Sequence, residues 1–119
     1  MREVFQQQLH EVQDRLVEIA NDATKIMKNA SDSFNNSDVV LADQAIASAE
    51  LVNEKALALD ELVIRILAKQ SPVARDLRIL VSALRISASL ERMAALAGHI
   101  AQIARYRYPG SAIPEALKG

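Results

Sequence analysis

The side chains of this sequence that are best suited to holding a cation fall in two stretches, Glu50 with Asn53 and Glu91 with His99. Carboxylate, amide and imidazole groups are metal ligands, and eight residues separate Glu91 from His99 by about two turns of one helix face. A helical hairpin that pivots near Gln70 brings Glu50 and Asn53 close to Glu91. The spacing predicts a cation site. The alternative is that Glu91 pairs with a neighbouring basic residue and that His99 lies at the edge of the core.

A second group of charged residues lies where two helices are expected to meet at the tip of this hairpin. The helix dipole stabilises a negative charge in a first turn and positive charges in a last turn. The group is therefore interpreted either as structural support for the helix ends or as a surface that docks a partner. Its members are Asp60, Arg65, Lys69, Arg75, Asp76 and Arg78.

No combination of residues has the pattern of a catalytic site. Neither His10 nor His99 follows a glutamate by three residues, as in di-iron helical bundles, and there is no glycine-rich phosphate loop. The absence of cysteine excludes thiolate chemistry and disulfides. A formal net charge of −1 is unlike the basic balance of a nucleic-acid-binding domain. These features predict a protein that is neither an enzyme nor a binder of nucleic acid.

The N-terminal segment is polar and amphipathic, which is unlike a signal peptide. The longest apolar runs are only a few residues, far short of the roughly 20 that a membrane helix needs. The sequence is therefore compatible with a cytoplasmic location, and any association with a membrane is expected to be peripheral and to go through partners.

The elements that position these residues are predicted to be three long helices. Half of the residues are hydrophobic, but only two Phe and two Tyr are aromatic, so alanine and branched aliphatic side chains must build the core. Apolar residues recur every three or four positions over residues 2–34, 38–69 and 71–106. The predicted seam of the first helix is Phe5, Leu9, Val12, Leu16, Ile19, Ala23, Ile26 and Ala30, and that of the second is Ala42, Ala45, Ala49, Val52, Ala56, Leu59, Val63 and Ile66. Such periodicity is typical of helices that pack in a bundle.

Short connections between these helices predict an all-α, elongated up-down-up three-helix bundle with a spectrin-like layout over residues 1–108. Ser37 and Ser71 are the predicted N-caps of the second and third helices, because a serine hydroxyl accepts a hydrogen bond from a free N–H there. Residues 109–119 are predicted to form a turn and the start of a further helix, as in a truncated chain or at a boundary between repeats.

The third helix is apolar on two faces, so the other two helices are predicted to cover it from two sides. The first stripe consists of Val73, Leu77, Leu80 and Leu84, and the second of Ile79, Ala83, Ile86, Leu90, Met93, Ala97, Ile100 and Ala104. Apolar surface left uncovered in a single bundle predicts a homodimer or a helix-swapped dimer.

The segment from Leu59 to Ala104 resembles the core of the PhoU family of phosphate-uptake regulators. The family pattern has an acidic pair before a helix end, then Gln-x-Pro, then Ala-x-Asp-Leu-Arg, and further on a Glu-Arg pair. The matching residues in this sequence are Asp60, Glu61, Gln70, Pro72, Ala74, Asp76, Leu77, Arg78, Glu91 and Arg92.

The resemblance implies a three-helix repeat that the family normally contains twice, of which this chain is the N-terminal one. It also implies a cytoplasmic accessory protein rather than an enzyme. Such proteins couple the phosphate-specific ABC transporter, through its ATPase subunit, to a sensor histidine kinase. Their effect is negative regulation of the phosphate-starvation response.

The resemblance also bears on the metal site. The family's motif of an acidic residue followed four residues later by Asp falls on Glu91 and Ala95, and alanine cannot be a ligand. Other ligand positions fall on Asn53, His99 and Ala49, with Glu50 beside the last. The resemblance therefore implies a degenerate iron or zinc site, mononuclear or absent, rather than a multinuclear cluster.

Two alternative functions remain open from the residues themselves. A small helical enzyme of the chorismate mutase type requires Arg65, Lys69 and Arg78 to converge on one pocket that holds a dicarboxylate. A plain helical scaffold with no regulatory role requires none of the charged groups to act.

Overall fold

The structure, a computed structural model, describes residues 2–107 of the 119-residue chain. It consists of three helices, α1 (Arg2–Asn36), α2 (Val39–Lys69) and α3 (Ala74–Arg107), and each packs against the other two. The chain measures 60 × 21 × 16 Å along its principal axes. The predicted all-α, elongated up-down-up bundle is therefore confirmed, whereas the prediction for residues 109–119 lies outside the described residues.

The core is made by one seam from each helix, and the seams of α1 and α2 are those that the sequence predicts. A repeat of apolar residues at alternating spacings of three and four brings one face of a helix to its neighbours. Leu16 in α1 and Ala49 in α2 are only half-buried, at the edges of their seams. The buried residues of α1 include Phe5, Leu9, Val12, Ile19, Ala23, Ile26 and Ala30, and those of α2 include Ala42, Ala45, Val52, Ala56, Leu59, Leu62, Val63 and Ile66.

The connection between α1 and α2 differs in detail from the prediction. Asp38, and not Ser37, caps α2, because its carboxylate accepts hydrogen bonds from the backbone N–H groups of Val40 at 3.0 Å and Leu41 at 3.1 Å. Ser37 instead has a positive φ of 53° and reverses the chain. α1 continues through the predicted break to Asn36.

The connection between α2 and α3 is longer than the tight reversal expected at Gln70. Gln70 is extended, with φ −117° and ψ 155°, and α3 begins at Ala74 rather than at Ser71. The backbone carbonyl of Val73 accepts the first hydrogen bond of the helix, from the N–H of Leu77 at 2.9 Å. The four residues 70–73 therefore lie outside both helices. They shift α3 along its axis relative to the alignment expected for a tight turn at Gln70.

The buried seam of α3 consists mostly of small residues, in contrast to the two large apolar stripes of the prediction. Its buried members are Leu80, Ala83, Ser87, Ala94, Ala97, Gly98, Ala101 and Ala104. Small side chains let α3 lie close to both neighbours, so its larger aliphatic residues are left at the margins. The prediction that α1 and α2 cover both stripes is wrong for Val73, Leu77, Ile86, Met93 and Ile100, which are exposed.

Candidate functional site

A polar cleft lies on the surface between α2 and α3. It encloses about 410 Å³ and is open to solvent along one side. α2 contributes polar side chains at positions i, i+3 and i+4, which share one helix face, and α3 contributes a pair at i and i+3. The lining residues are Ile46, Ala49, Glu50, Asn53, Glu54, Ala95, Gly98, His99 and Gln102.

Small residues form the floor of this cleft because the two helices approach closely there. A Cβ atom built on Gly98 would lie 3.1 Å from the Cβ of Ala49, which is tighter than ordinary van der Waals contact. Ala95 lines the cleft one turn before Gly98. The alanine-rich first half of α2 and the small residues of α3 therefore hold the polar side chains on opposite walls.

The cleft brings together three of the four residues predicted to hold a cation. Glu50, Asn53 and His99 line it, whereas Glu91 does not. The expected register is wrong, because the stretch of α2 around Glu50 faces Gly98 and His99 instead of Glu91, about two turns further along α3. The four-residue connection 70–73 accounts for part of this displacement, since it moves the pivot of the hairpin past Gln70.

The sequence reasoning missed two polar residues of the cleft, Glu54 and Gln102. Glu54 follows the predicted Glu50 by four positions, and Gln102 follows the predicted His99 by three. The helical spacing of three and four residues indicates such neighbours, but only once the correct faces of α2 and α3 are paired.

The donor groups of the cleft do not form a preorganised metal centre. Metal coordination requires several donors that converge on one point. Within residues 2–107, no three His, Asp or Glu side chains are placed so that they can hold a metal ion. Glu50, Asn53, Glu54 and His99 are all exposed. Their arrangement is that of a solvent-exposed polar surface.

The charged group at the hairpin tip is divided by the structure between different surfaces. Asp76, in the first turn of α3, lines a cleft with Phe5 and with residues 70–73, while Arg78 faces a groove between α1 and α3. Arg65 is exposed on α2. Asp60 is half-buried, and burial raises the pKa of its carboxyl group above the usual 3.8.

The mutase alternative requires three basic side chains in one pocket, and the described residues do not provide it. Arg78 lines the α1–α3 groove with Val12 and Leu16. Arg65 and Lys69 are exposed on α2 and line none of the clefts described here. The convergence that this alternative requires is therefore missing.

Ion pairs join α2 to each of the other two helices. Lys55 of α2 donates a hydrogen bond to Asp22 of α1, and this carboxylate raises the pKa of the Lys55 ammonium group above its usual value of 10.5. Arg105 of α3 donates through Nε to Oδ1 of Asp43 in α2 at 3.0 Å. These pairs link the middle of α1 to α2 and the end of α3 to the start of α2.

The fold and the cleft define a three-helix bundle domain whose polar groups are displayed on an open surface. No helix within residues 2–107 has the length and hydrophobicity needed to cross a membrane. The model of one family, the PhoU domain, matches residues 16–104. The chain therefore belongs to the PhoU family.

Similar proteins occur in bacteria and archaea. A Mycobacterium bovis protein named phosphate-specific transport system accessory protein PhoU homolog 2 is 40% identical over 119 residues, which are 100% of this chain and 56% of the relative. PhoU homolog 1 of Mycobacterium leprae is 38% identical over 119 residues, or 54% of its length. PhoU homolog 2 of Methanothermobacter thermautotrophicus is 31% identical over 107 residues, or 90% of this chain and 48% of the relative.

This chain spans about half the length of these curated relatives. No solved structure matches it. The resemblance that the sequence shows to the family is thus confirmed over most of the chain, including α2, α3 and the greater part of α1.

Proposed function

We propose that this chain is an accessory protein of a phosphate transport system and that it acts by contact with other proteins. The observation that carries this proposal is the 40% identity over all 119 residues to a protein named as a phosphate-specific transport system accessory protein. The relatives differ in source but share this function in their names. The proposed role is regulatory and not enzymatic.

The partners in this proposal are the ATPase subunit of the phosphate ABC transporter and a sensor histidine kinase, in the cytoplasm. A contact protein of this kind changes the activity of a partner if it binds one conformation of the partner more tightly than another. Long exposed helix faces and open clefts suit such contacts better than the chemistry of a closed pocket. The result of the contact is negative regulation of the phosphate-starvation response.

Two groups of residues are proposed to take part. Asp60, Arg65, Asp76 and Arg78 support the end of the bundle where α2 and α3 connect, or contact a partner there. A homodimer or helix-swapped dimer is the second proposal, and it would use exposed apolar residues, which occur on all three helices.

The test is a binding measurement with the purified chain, the transporter ATPase and the kinase. Binding to either partner in the micromolar range or tighter supports the proposal. A complementation assay adds the cellular readout, in which expression of the chain in a strain lacking its own PhoU restores repression of a phosphate-starvation reporter. A plain scaffold binds neither partner and leaves the reporter active.

The metal prediction for Glu50, Asn53, Glu91 and His99 stays a prediction. The observation in its favour is that Glu50, Asn53 and His99 line one cleft together with Glu54. Elemental analysis of the purified protein tests it, with His99→Ala and Glu91→Ala as a matched pair. Loss of bound metal in His99→Ala alone favours the cleft, and loss in Glu91→Ala alone favours the predicted register. Absence of iron and zinc from the unmodified protein contradicts both.

A further inference from the structure

α3 carries a row of large apolar side chains that its own bundle covers only in part: Ile79 is half-buried, and the others are exposed. Ile79, Ile86, Met93 and Ile100 follow one another at intervals of seven residues, so they lie along one line of the helix. Leu96 and Ile103 lie beside this line, and Leu96 is 63% and Ile100 42% exposed. From Ile79 to Ile103 this apolar strip extends about 36 Å at 1.5 Å per residue.

The apolar strip forms one wall of a groove between α1 and α3. Towards the C-terminal end of α3 the groove encloses about 570 Å³ of open space with an almost entirely apolar lining. Its walls there are Met93, Leu96, Ile100 and Ile103 on α3 and Met27 and Phe34 on α1. Towards the N-terminal end of α3, Ile79 and Ile86 face Val12 and Leu16. None of the α1 residues that line either end of the groove carries a charge. They are Val12, Gln13, Leu16, Met27, Ala30, Ser31, Phe34 and Asn35.

The outer edge of the apolar strip, away from α1, is basic, and Arg78 at the start of this edge also lines the groove. Arg78, Arg85 and Arg92 also follow one another at intervals of seven, are exposed, and run parallel to the strip. Among the described residues the ion pairs involve Arg15, Lys55 and Arg105, and none of these three arginines. Arg92 donates a hydrogen bond to the hydroxyl of Ser89 on its own helix. The arginine row therefore presents three positive charges with no carboxylate opposite them.

This charge is local to α3. The helix has six arginines against the acidic residues Asp76 and Glu91, although the whole chain has a formal net charge of −1. Electrostatic complementarity between surfaces decides which partners bind and in what orientation. A partner that covers the strip must bring acidic groups to the arginine row on one side and uncharged groups to α1 on the other.

We propose that the groove between α1 and α3 binds an amphipathic helix of a partner protein, with its apolar stripe on Met93, Leu96 and Ile100 and its acidic flank on the arginine row. An amphipathic helix laid in an apolar groove is a recurring mode of protein recognition. This inference rests on the proposed function, because it names the surface through which the contact is made.

A second copy of this chain is the less suitable occupant. A second copy that packs through its own α3 brings six arginines and, as acidic residues, only Asp76 and Glu91. It therefore supplies no acidic flank to the arginine row, whereas an acidic partner helix does.

The experiment uses two synthetic 21-residue helical peptides with leucine at the a and d positions of a heptad. One peptide has glutamate along one flank, and the other is identical except for lysine at those positions. Fluorescence anisotropy with the full 119-residue chain gives both affinities. The acidic peptide is expected to bind at least about tenfold more tightly than the basic one, and high salt should reduce the difference.

Charge-reversed variants test the arginine row. Arg85→Glu is expected to weaken binding of the acidic peptide about tenfold and to strengthen binding of the basic one. Lys25→Glu, an equal change of charge at an exposed site of α1 away from the groove, should leave the preference for the acidic peptide in place. Equal effects of the two variants, or equal binding of the two peptides, would overturn the proposal.

Apolar variants test the strip. Leu96→Gln and Ile100→Gln change residues that are already largely exposed, so the fold should be retained, and circular dichroism verifies this. Each is expected to weaken binding of the acidic peptide about tenfold. Leu51→Gln, at a residue of α2 that is 52% exposed, should leave this binding unchanged. A dimer in sedimentation experiments that these two variants dissociate overturns the proposal in favour of a second copy.

The proposed function and this inference fail in different ways. Binding of the acidic peptide without binding of the transporter ATPase or the kinase supports the groove and contradicts the proposed function. Binding of either protein that is unchanged by Arg85→Glu and Leu96→Gln supports the function and overturns the groove as its contact surface.

Discussion

Gly98 of α3 lies directly against Ala49 of α2, so closely that a Cβ atom at Gly98 would be 3.1 Å from the Cβ of Ala49. This contact belongs to an alignment of the two helices in which Glu50 and Asn53 share a cleft with His99 and Glu91 lies outside it.

Gly98→Leu is expected to lower the free energy of unfolding by about 1–3 kcal/mol, because the larger side chain must push α2 away. Gly98→Ala is the control. Its gain in helix propensity of about 1 kcal/mol opposes the cost of displacing Ala49 by a few tenths of an ångström, so a small net change is expected. Urea denaturation measures both. A Gly98→Leu variant as stable as the unmodified protein would contradict the close contact.

Leu80 provides a test of the α3 seam. It is fully buried, so Leu80→Ala is expected to cost about 2–5 kcal/mol of unfolding free energy. Leu77, less than one turn earlier, is 41% exposed, and Leu77→Ala should cost less than about 1 kcal/mol. Equal losses in the two variants would indicate that Leu77 is buried, as the predicted stripe requires, and would contradict its observed exposure.

Lys55 links α2 to α1 through Asp22, with Glu18 nearby at 3.7 Å. The raised pKa of Lys55 means that the stabilisation is complete below pH 10.5 and is lost as the pH rises through the folded-state pKa. Lys55→Met should cost about 0.5–1 kcal/mol at neutral pH, a modest value because the pair is partly exposed. The difference from the unmodified protein should disappear in strong alkali, as measured by denaturation across pH 7–12. A difference that persists there would show that packing, and not charge, is responsible.

Asp60 depends on pH in the same direction as Lys55, but in the acidic range. Burial raises the pKa of its carboxyl group, so the folded state favours the protonated form, and the stability gained from it is lost as the pH rises through the folded-state pKa. Asp60→Asn should therefore be more stable than the unmodified protein at neutral pH, with a difference that shrinks as the pH falls to 3.8. Glu61→Gln, at an exposed neighbour, is the matched control. Denaturation at several values between pH 3 and 7 measures the effect, and a pH-independent difference would refute it.

Much of the fold follows from local patterns. The seams of α1 and α2 repeat at three and four residues without a break, and every residue predicted for them except Leu16 and Ala49 is buried. The ends of the helices were harder to predict. Both Ser37 and Asp38 have side chains suited to an N-cap, and only the backbone conformation at Ser37 decides between them.

The candidate cleft was predicted in part. Three of the four predicted residues line it, and its residue types are those expected. Glu91 lies outside the cleft, whereas Glu54 and Gln102, which were not predicted, line it. Periodicity identifies residues on one face of one helix, and it contains no information on how far a neighbouring helix is displaced along its axis. That displacement depends on the connection and on small contacts such as the one between Gly98 and Ala49.

The sequence by itself determined the helical class, the number of helices and the family, because periodicity and short motifs are local properties of the chain. The tertiary structure decided which face of α3 is buried. Its small residues pack inward, since close approach of three helices leaves no room for Ile86, Met93 and Ile100. Those residues and the arginine row are consequently on the outside, and the surface available for a partner is a product of packing that no single helix specifies.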